Sequence, residues 1–368
     1  MKISVPTEIK NNEFRVGLTP GNVQLLVQDG HQLFVQAGAG HGIGIEDELY
    51  KNAGATILPT IEDTYDAGEM IIKVKEPQAS EIALLRPKHL LYTYLHLAAD
   101  KALTEGLMKS KSTCIAYETI QELDGTLPLL TPMSEVAGRM ATQIGASYLQ
   151  KDRGGKGVLL GGVPGVKRGK IVILGCGVAG LNAMKMAIGL GAEVVAMDLN
   201  LKRLAQLDDL FGAKIKTIFS NPVTIEQEIS NADLVIGSVL VPGAKAPRLV
   251  TRQMLKIMEK KSVIIDIAVD QGGCIETCRP TTHAEPTFIV DDIIHYCVAN
   301  MPGAVPHTST YALNNATLRY ARMLASMGVE KAASNSMPLA KGVNILKGDL
   351  VYKQVADDLH LPYTSFLS

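Results

Sequence analysis

The chain has 368 residues, 46% apolar and 20% charged, with a formal net charge of −1; that leaves room for roughly two to three domains with sizeable cores and gives no compositional sign of disorder. So balanced a charge, with no basic stripe interleaved with aromatics, excludes a nucleic-acid footprint. The five cysteines, Cys114, Cys176, Cys274, Cys278 and Cys297, are few and odd in number, which suits reduced thiols rather than a disulfide framework.

The opening Met1–Pro6 reads as a strand entering a fold at once, without the apolar region and small-residue cleavage site of a signal peptide. No apolar run approaches the length of a membrane span, so a cytoplasmic protein is expected. From Lys2 to Glu118, strand-like runs at Ile3–Val5, Leu33–Val35, Met70–Val74, Leu90–Leu95 and Cys114–Tyr117 alternate with helical patterns at Thr19–Gln28, Asp47–Ala53 and Asp100–Lys109. Such alternation predicts an α/β domain with a parallel sheet. Ser134 reads as the N-cap of a helix running to about Gln150, long enough to connect two domains. Lys151 to Gly169, dense in glycine and basic residues, reads as a connecting loop.

The most informative stretch is Lys170 to Asp198. A β-branched apolar run, Lys170–Leu174, stops at Gly175-Cys176-Gly177-Val178-Ala179-Gly180; an Ala- and Met-rich helical segment runs to Leu190, and a second strand pattern, Glu193–Met197, ends at Asp198. Each glycine has a job in dinucleotide binding: Gly175 permits the sharp turn, Gly177 lets backbone approach a pyrophosphate, and Gly180 lets helix and strand pack closely. The unpaired N–H groups at the helix start favour a diphosphate. Asp198 is placed to accept from the adenosine ribose hydroxyls and to repel a 2′-phosphate, which predicts NAD over NADP, although Lys202 and Arg203 follow closely.

Further strands are expected at Ile215–Ile218, Leu234–Gly237, Val263–Ile267 and Phe288–Val290, with helical runs at Leu201–Phe211 and Thr251–Lys260. With the two opening strands these make the six of a complete doubly wound domain. A long helical pattern, Thr308–Met327, follows the Asn300–Gly303 turn, and the tail is expected to return to the first domain. The expected architecture is therefore α/β, with two Rossmann-like doubly wound domains joined by long helices and a cleft between them. Residues 1–130 and 305–368 form the substrate domain, and 131–304 the NAD-binding domain with its connecting helix near 134–150.

In open α/β sheets ligands sit at the carboxyl ends of strands. Lys75, His96 and Asp270 each follow an apolar run, and Arg15 stands close behind the first strand. Singly, each also has a plain structural explanation: a solvated loop lysine, a satisfied core histidine, a turn-forming aspartate before Gly272-Gly273, and a surface ion pair for Arg15. His31, His41, His89 and His360 fall in loop-like or exposed contexts, and His283, His295 and His307 have no nameable partner; all are left structural. Cys274, Cys278 and His283 match no zinc spacing well, so no metal is expected.

Together, Glu8–Lys10 through Arg15–Pro20, Lys73–Pro77, Tyr94–Ala98, Met133–Arg139, Asp270–Gly273 and Asn300–Pro306 resemble the alanine dehydrogenase family, which includes the nicotinamide-binding subunit of proton-pumping transhydrogenase. The resemblance runs through nearly the whole chain. It implies NAD-dependent, reversible oxidative deamination of L-alanine to pyruvate and ammonium, and a homohexamer. Carried onto this sequence, Arg15 and Lys75 hold the substrate carboxylate and carbonyl, His96 is the acid/base, and Asp270 assists the water and ammonia steps. Ser134, Arg203, Ser220, Val239, Leu240 and Met301 match cofactor-contacting positions, and the resemblance adds Val178, Ala179, Ile267, Asp270 and Arg279 to these. Cys176, where many relatives carry a smaller residue, and His307, often basic in relatives, depart from the pattern. Three other readings remain open at this point: a soluble subunit passing hydride to a membrane partner, a dehydrogenase of another small 2-amino acid or an imine, and an NADH-sensing protein without turnover.

Overall fold

A computed structural model describes residues 1–239 and 246–366. The chain divides into two compact units, Met1–Met133 with Val305–Ser368, and Ser134–Ala304. The first carries β1 (Lys2–Val5), β2 (Gln32–Gln36), β3 (Thr56–Leu58), β4 (Met70–Ile72), β5 (Leu90–Thr93) and β6 (Thr113–Ala116). The second carries β7 (Lys170–Leu174), β8 (Glu193–Asp198), β9 (Lys216–Phe219), β10 (Leu234–Gly237), β11 (Val263–Asp266), β12 (Thr287–Val290) and β13 (Ile293–Tyr296). The tail adds β14 (Val343–Leu346) and β15 (Asp349–Leu350) to the first unit. Among the described residues no helix is long and apolar enough to cross a membrane.

In the first sheet the order is β15-β14-β6-β5-β4-β1-β2-β3, parallel from β6 to β3, with β14 and β15 antiparallel at one edge. Every residue of β4, β5 and β6 is buried, as expected when helices cover both faces of a parallel sheet. Ile71, Leu91 and Cys114 share a core with Ile345 and Leu350 from the tail, so the last strands complete this unit. The long helix Pro306–Met327 also belongs to it, and its Asn314 fastens the stretch after β1. The Asn314 side chain accepts from Thr19 N at 2.8 Å and donates to Val16 O at 3.2 Å.

The second sheet runs β12-β13-β11-β10-β7-β8-β9. Val195, Val172, Val235 and Ile264 stand side by side across β8, β7, β10 and β11, all fully buried. Each such side chain contributes about 1.5–3 kcal/mol on burial.

Several expectations are corrected. The helix at the start of the second unit spans Thr131–Tyr148, so Ser134 lies in its first turn rather than at its cap; Pro132 is tolerated there because a first-turn residue has no intrahelical partner for its N–H. Phe288–Val290 is a strand but not a sixth parallel one. It pairs antiparallel with β13, a seventh strand that the sequence reading missed, across the two-residue turn Asp291-Asp292, whose φ values of +49° and +64° are those of a tight hairpin. The helix expected over Thr251–Lys260 is confined to Arg252–Leu255. His89 is buried, because its Nδ1 accepts from Arg86 N and closes the turn entering β5.

Candidate active site

The two units each gather their own functional side chains. In the first, β5, β4 and β1 are parallel neighbours, so their carboxyl ends lie along one edge, and His96, Lys75 and Arg15 all follow those ends. Arg15 is not the surface residue that a simple ion pair would suggest. It is buried, and Glu13 takes its Nε and Nη2 through two 2.6 Å hydrogen bonds, while Nη1 lies 3.1 Å from Met133 Sδ. A bidentate carboxylate fixes the guanidinium plane.

Beneath Lys75 is a charge cluster that sequence reasoning missed. Lys73 is fully buried, 3.0 Å from Glu8 and 2.7 Å from Glu81, and Tyr65 donates to Glu81 at 3.2 Å. Glu8 also accepts from Val74 N at 2.6 Å. Burial pushes the Glu8 carboxyl up, partly opposed by the Lys73 charge. The cluster pins the segment that delivers Lys75.

His96 sits in the left-handed region, φ +53° and ψ +40°, where a non-glycine residue needs outside support. Glu118 supplies it, accepting from His96 N at 2.5 Å and from Leu95 N at 3.2 Å. The imidazole stacks on Tyr94, 5.8 Å between centroids, and its Nδ1 lies 4.0 Å from Glu76 Oε2.

In the second unit, the glycine turn has the geometry its spacing implies. Gly175 has φ +91°, and a Cβ there would meet Val239 at 2.7 Å; a Cβ on Gly180 would sit 2.0 Å from Gly175 O. A Cβ on Gly177 would meet nothing within 4 Å, so the space beside that backbone is open. Val178 and Ala179 start the helix that runs to Gly189. Asp198 accepts from Cys176 N at 2.7 Å and from Asn200 N at 2.9 Å, while Arg203 Nε donates to Cys176 O at 2.7 Å. The acid and the cation therefore brace the turn through the two peptide groups that flank Cys176. The Cys176 thiol is buried, which with the nearby Asp198 pushes it up to about 12.

Ser220 donates its backbone N–H to Asp198 O at 3.0 Å, and Ser238 Oγ donates to Gly175 O at 2.7 Å. Ser134 lies one helical turn before Gly138, where a Cβ would meet Ala179 O at 2.1 Å, so its helix abuts the fingerprint. Ile267 follows β11, and exposed Asp270 lies 3.4 Å from Asn300 N, next to buried Met301. The loop bearing Asp270 is organised by buried Asp266, which accepts from Ala268 N at 2.9 Å, Cys274 N at 2.9 Å and Ile275 N at 3.2 Å. Arg279 is exposed and lies 4.5 Å over the ring of Phe288 on the edge strand β12, four places from β7 in the sheet order. Leu240 falls outside the described residues. His307 packs near Tyr311, 5.0 Å between rings.

These two sites coincide with the two halves of one family. Residues 4–137 match the family described as "Alanine dehydrogenase/PNT, N-terminal domain", and residues 141–353 the one described as "Alanine dehydrogenase/PNT, C-terminal domain". The chain belongs to the alanine dehydrogenase/PNT family. Within it, the chain is 56% identical over 366 residues to alanine dehydrogenase 2 of Staphylococcus aureus, covering 99% of this chain and 98% of that protein. It is 52% identical over 368 residues to the alanine dehydrogenase of Halomonas elongata, covering 100% and 99%. A solved L-alanine dehydrogenase superposes with a TM-score of 0.95 at 51% identity, covering 98% of this chain and 99% of the other. A transhydrogenase from Sinorhizobium meliloti superposes less closely, with a TM-score of 0.81 at 26% identity, covering 96% and 99%.

Proposed function

We propose that this chain catalyses the NAD-dependent, reversible oxidative deamination of L-alanine to pyruvate and ammonium. The observation that carries this reading is the 56% identity to an alanine dehydrogenase over 99% of the chain. The second unit fits NAD: open space beside Gly177, the close packing at Gly175 and Gly180, and Asp198 at the end of β8 are what a diphosphate and an adenosine ribose require. When bound, NAD supplies the hydride acceptor in deamination and the donor in amination.

In this reading the chain's own residues do the rest. Arg15, its plane fixed by Glu13, holds the substrate carboxylate, and Lys75 polarises the carbonyl oxygen as negative charge grows on it. His96 gives and takes the proton at the reacting centre, and Asp270 orients water and ammonia. Ser134, Val178, Ala179, Arg203, Ser220, Val239, Leu240, Ile267, Arg279 and Met301 complete the proposed cofactor contacts. The same family membership supports a cytoplasmic homo-oligomer, with a hexamer the expected form.

The test follows NADH absorbance with purified protein, first with pyruvate alone and then with ammonium. Ammonium-dependent oxidation of NADH is expected. Equal rates without ammonium would point to a hydroxy-acid enzyme instead, and no turnover from protein that binds NADH would sink the reading. Slow turnover of 2-oxobutyrate is compatible with it, since one methylene discriminates by only about 1–3 kcal/mol.

A further inference from the structure

The Glu76 carboxylate is the one acidic group beside the His96 ring whose second oxygen has nothing to bind among the described residues. Its Oε1 is paired with Lys10 Nζ, while Oε2 is inaccessible to solvent and lacks a hydrogen-bond partner. That oxygen is 4.0 Å from His96 Nδ1. A buried carboxylate oxygen left unsatisfied costs about 1–3 kcal/mol or more, so such an atom calls for an explanation. Although burial works in the other direction, the Lys75 and Lys10 charges hold the Glu76 carboxyl below the usual carboxylate range. It is an ionised acceptor aimed at the near nitrogen of the imidazole.

Everything else around the ring restrains it without using that nitrogen. Tyr94 covers one face, and Glu118 grips the main chain of Leu95 and His96. The charged groups reaching this ring come from three segments: Lys10 after β1, Lys75 and Glu76 after β4, and Glu118 after β6.

We infer that Glu76 is the positioning residue of His96: in the working complex the ring moves about 1 Å closer and donates Nδ1–H to Glu76 Oε2, so that substrate protons are exchanged at Nε2 alone. The carboxylate also stabilises the imidazolium that forms when Nε2 takes a proton. Lys10 holds Glu76 in place and moderates its charge. This rests on the acid/base reading of His96, and the tests separate the two.

Two variants shift the same quantity in opposite directions. Glu76→Gln removes the negative charge, so the acid/base limb of the kcat/KM–pH profile moves to lower pH. Turnover falls about tenfold or more, with NADH affinity and the KM for pyruvate little changed. Lys10→Met leaves Glu76 ionised and unmoderated, so the same limb moves to higher pH. A merely structural role would alter thermal stability without moving the limb in opposite senses. An unmoved limb in both variants overturns the inference; if Glu76→Gln fails to fold, an unmoved limb in Lys10→Met does so alone. His96→Ala decides the underlying reading: retained turnover there removes the acid/base assignment itself, whereas lost turnover with unmoved limbs in the other two removes only the role of Glu76.

Discussion

Asp198 braces the glycine turn and, in the proposed function, also sets the cofactor preference. Its carboxylate is tied to Cys176 N and Asn200 N, so it is fixed before any ligand arrives, and with NAD bound as proposed a fixed negative charge there would oppose a 2′-phosphate. Arg203 is engaged with the Cys176 carbonyl, which draws it toward the turn. Catalytic efficiency with NADH is therefore expected to exceed that with NADPH, and Asp198→Gly should narrow the ratio; an enzyme that favours NADPH would show that Asp198 does not set the preference. His89 carries a different consequence. Burial, reinforced by Lys88, lowers its folded-state pKa to about 4, against about 6.5 in an unfolded chain. The unfolded state then binds the proton first, so the contribution of His89 is intact above pH 6.5 and is lost as pH falls toward 4. His89→Asn keeps an acceptor for Arg86 N while removing the titration. The drop in unfolding midpoint between pH 7 and pH 5 should be smaller in this variant than in the parent, and an equal drop would remove His89 as a cause.

The strand β4 depends on charge as well as apolar packing. Lys73 follows it, completely buried between Glu8 and Glu81, and removing the lysine would strand two carboxylates without their counter-ion. Lys73→Met is expected to cost about 3–5 kcal/mol, readable in urea unfolding; a loss below 1 kcal/mol would mean that the cluster relaxes or takes up protons. How much of this was legible in advance depends on whether the signal was local. The glycine turn was, because Gly175, Gly177 and Gly180 constrain a single stretch of backbone whose φ values and close approaches follow from spacing. The direction of Phe288–Val290 was not, since it hangs on two consecutive aspartates adopting positive φ, a conformation more often signalled by Asn-Gly. Arg15, Lys75 and His96 were found one by one at strand ends. Glu76 and Glu118 were missed as supports of His96 because the strand order β6-β5-β4 decides which ends adjoin, and no single segment states it; Glu13 stands two residues from Arg15, but only the burial of the pair shows that it fixes the guanidinium.

The chain leaves its first unit at Met133 and returns to it at Val305, whereas the second unit is one unbroken segment. A fragment spanning Ser134–Ala304 is expected to fold cooperatively and bind NADH, while Met1–Met133 alone is expected to remain unfolded or aggregate, because β6 then presents a bare edge and Cys114 and Ala116 lose Ile345 and Leu350. Calorimetry on the two fragments checks both halves, and a stable Met1–Met133 would show that β14 and β15 are dispensable. The pairing of β6 with β14 also sets an order of events on the ribosome. Residue 116 emerges long before residue 343, a delay on the order of ten seconds or more at about 5–20 residues per second. The usual vectorial order is thus inverted: the middle of the nascent polypeptide can finish folding while its beginning still waits for the end, and for that interval the waiting edge is a natural client for a chaperone.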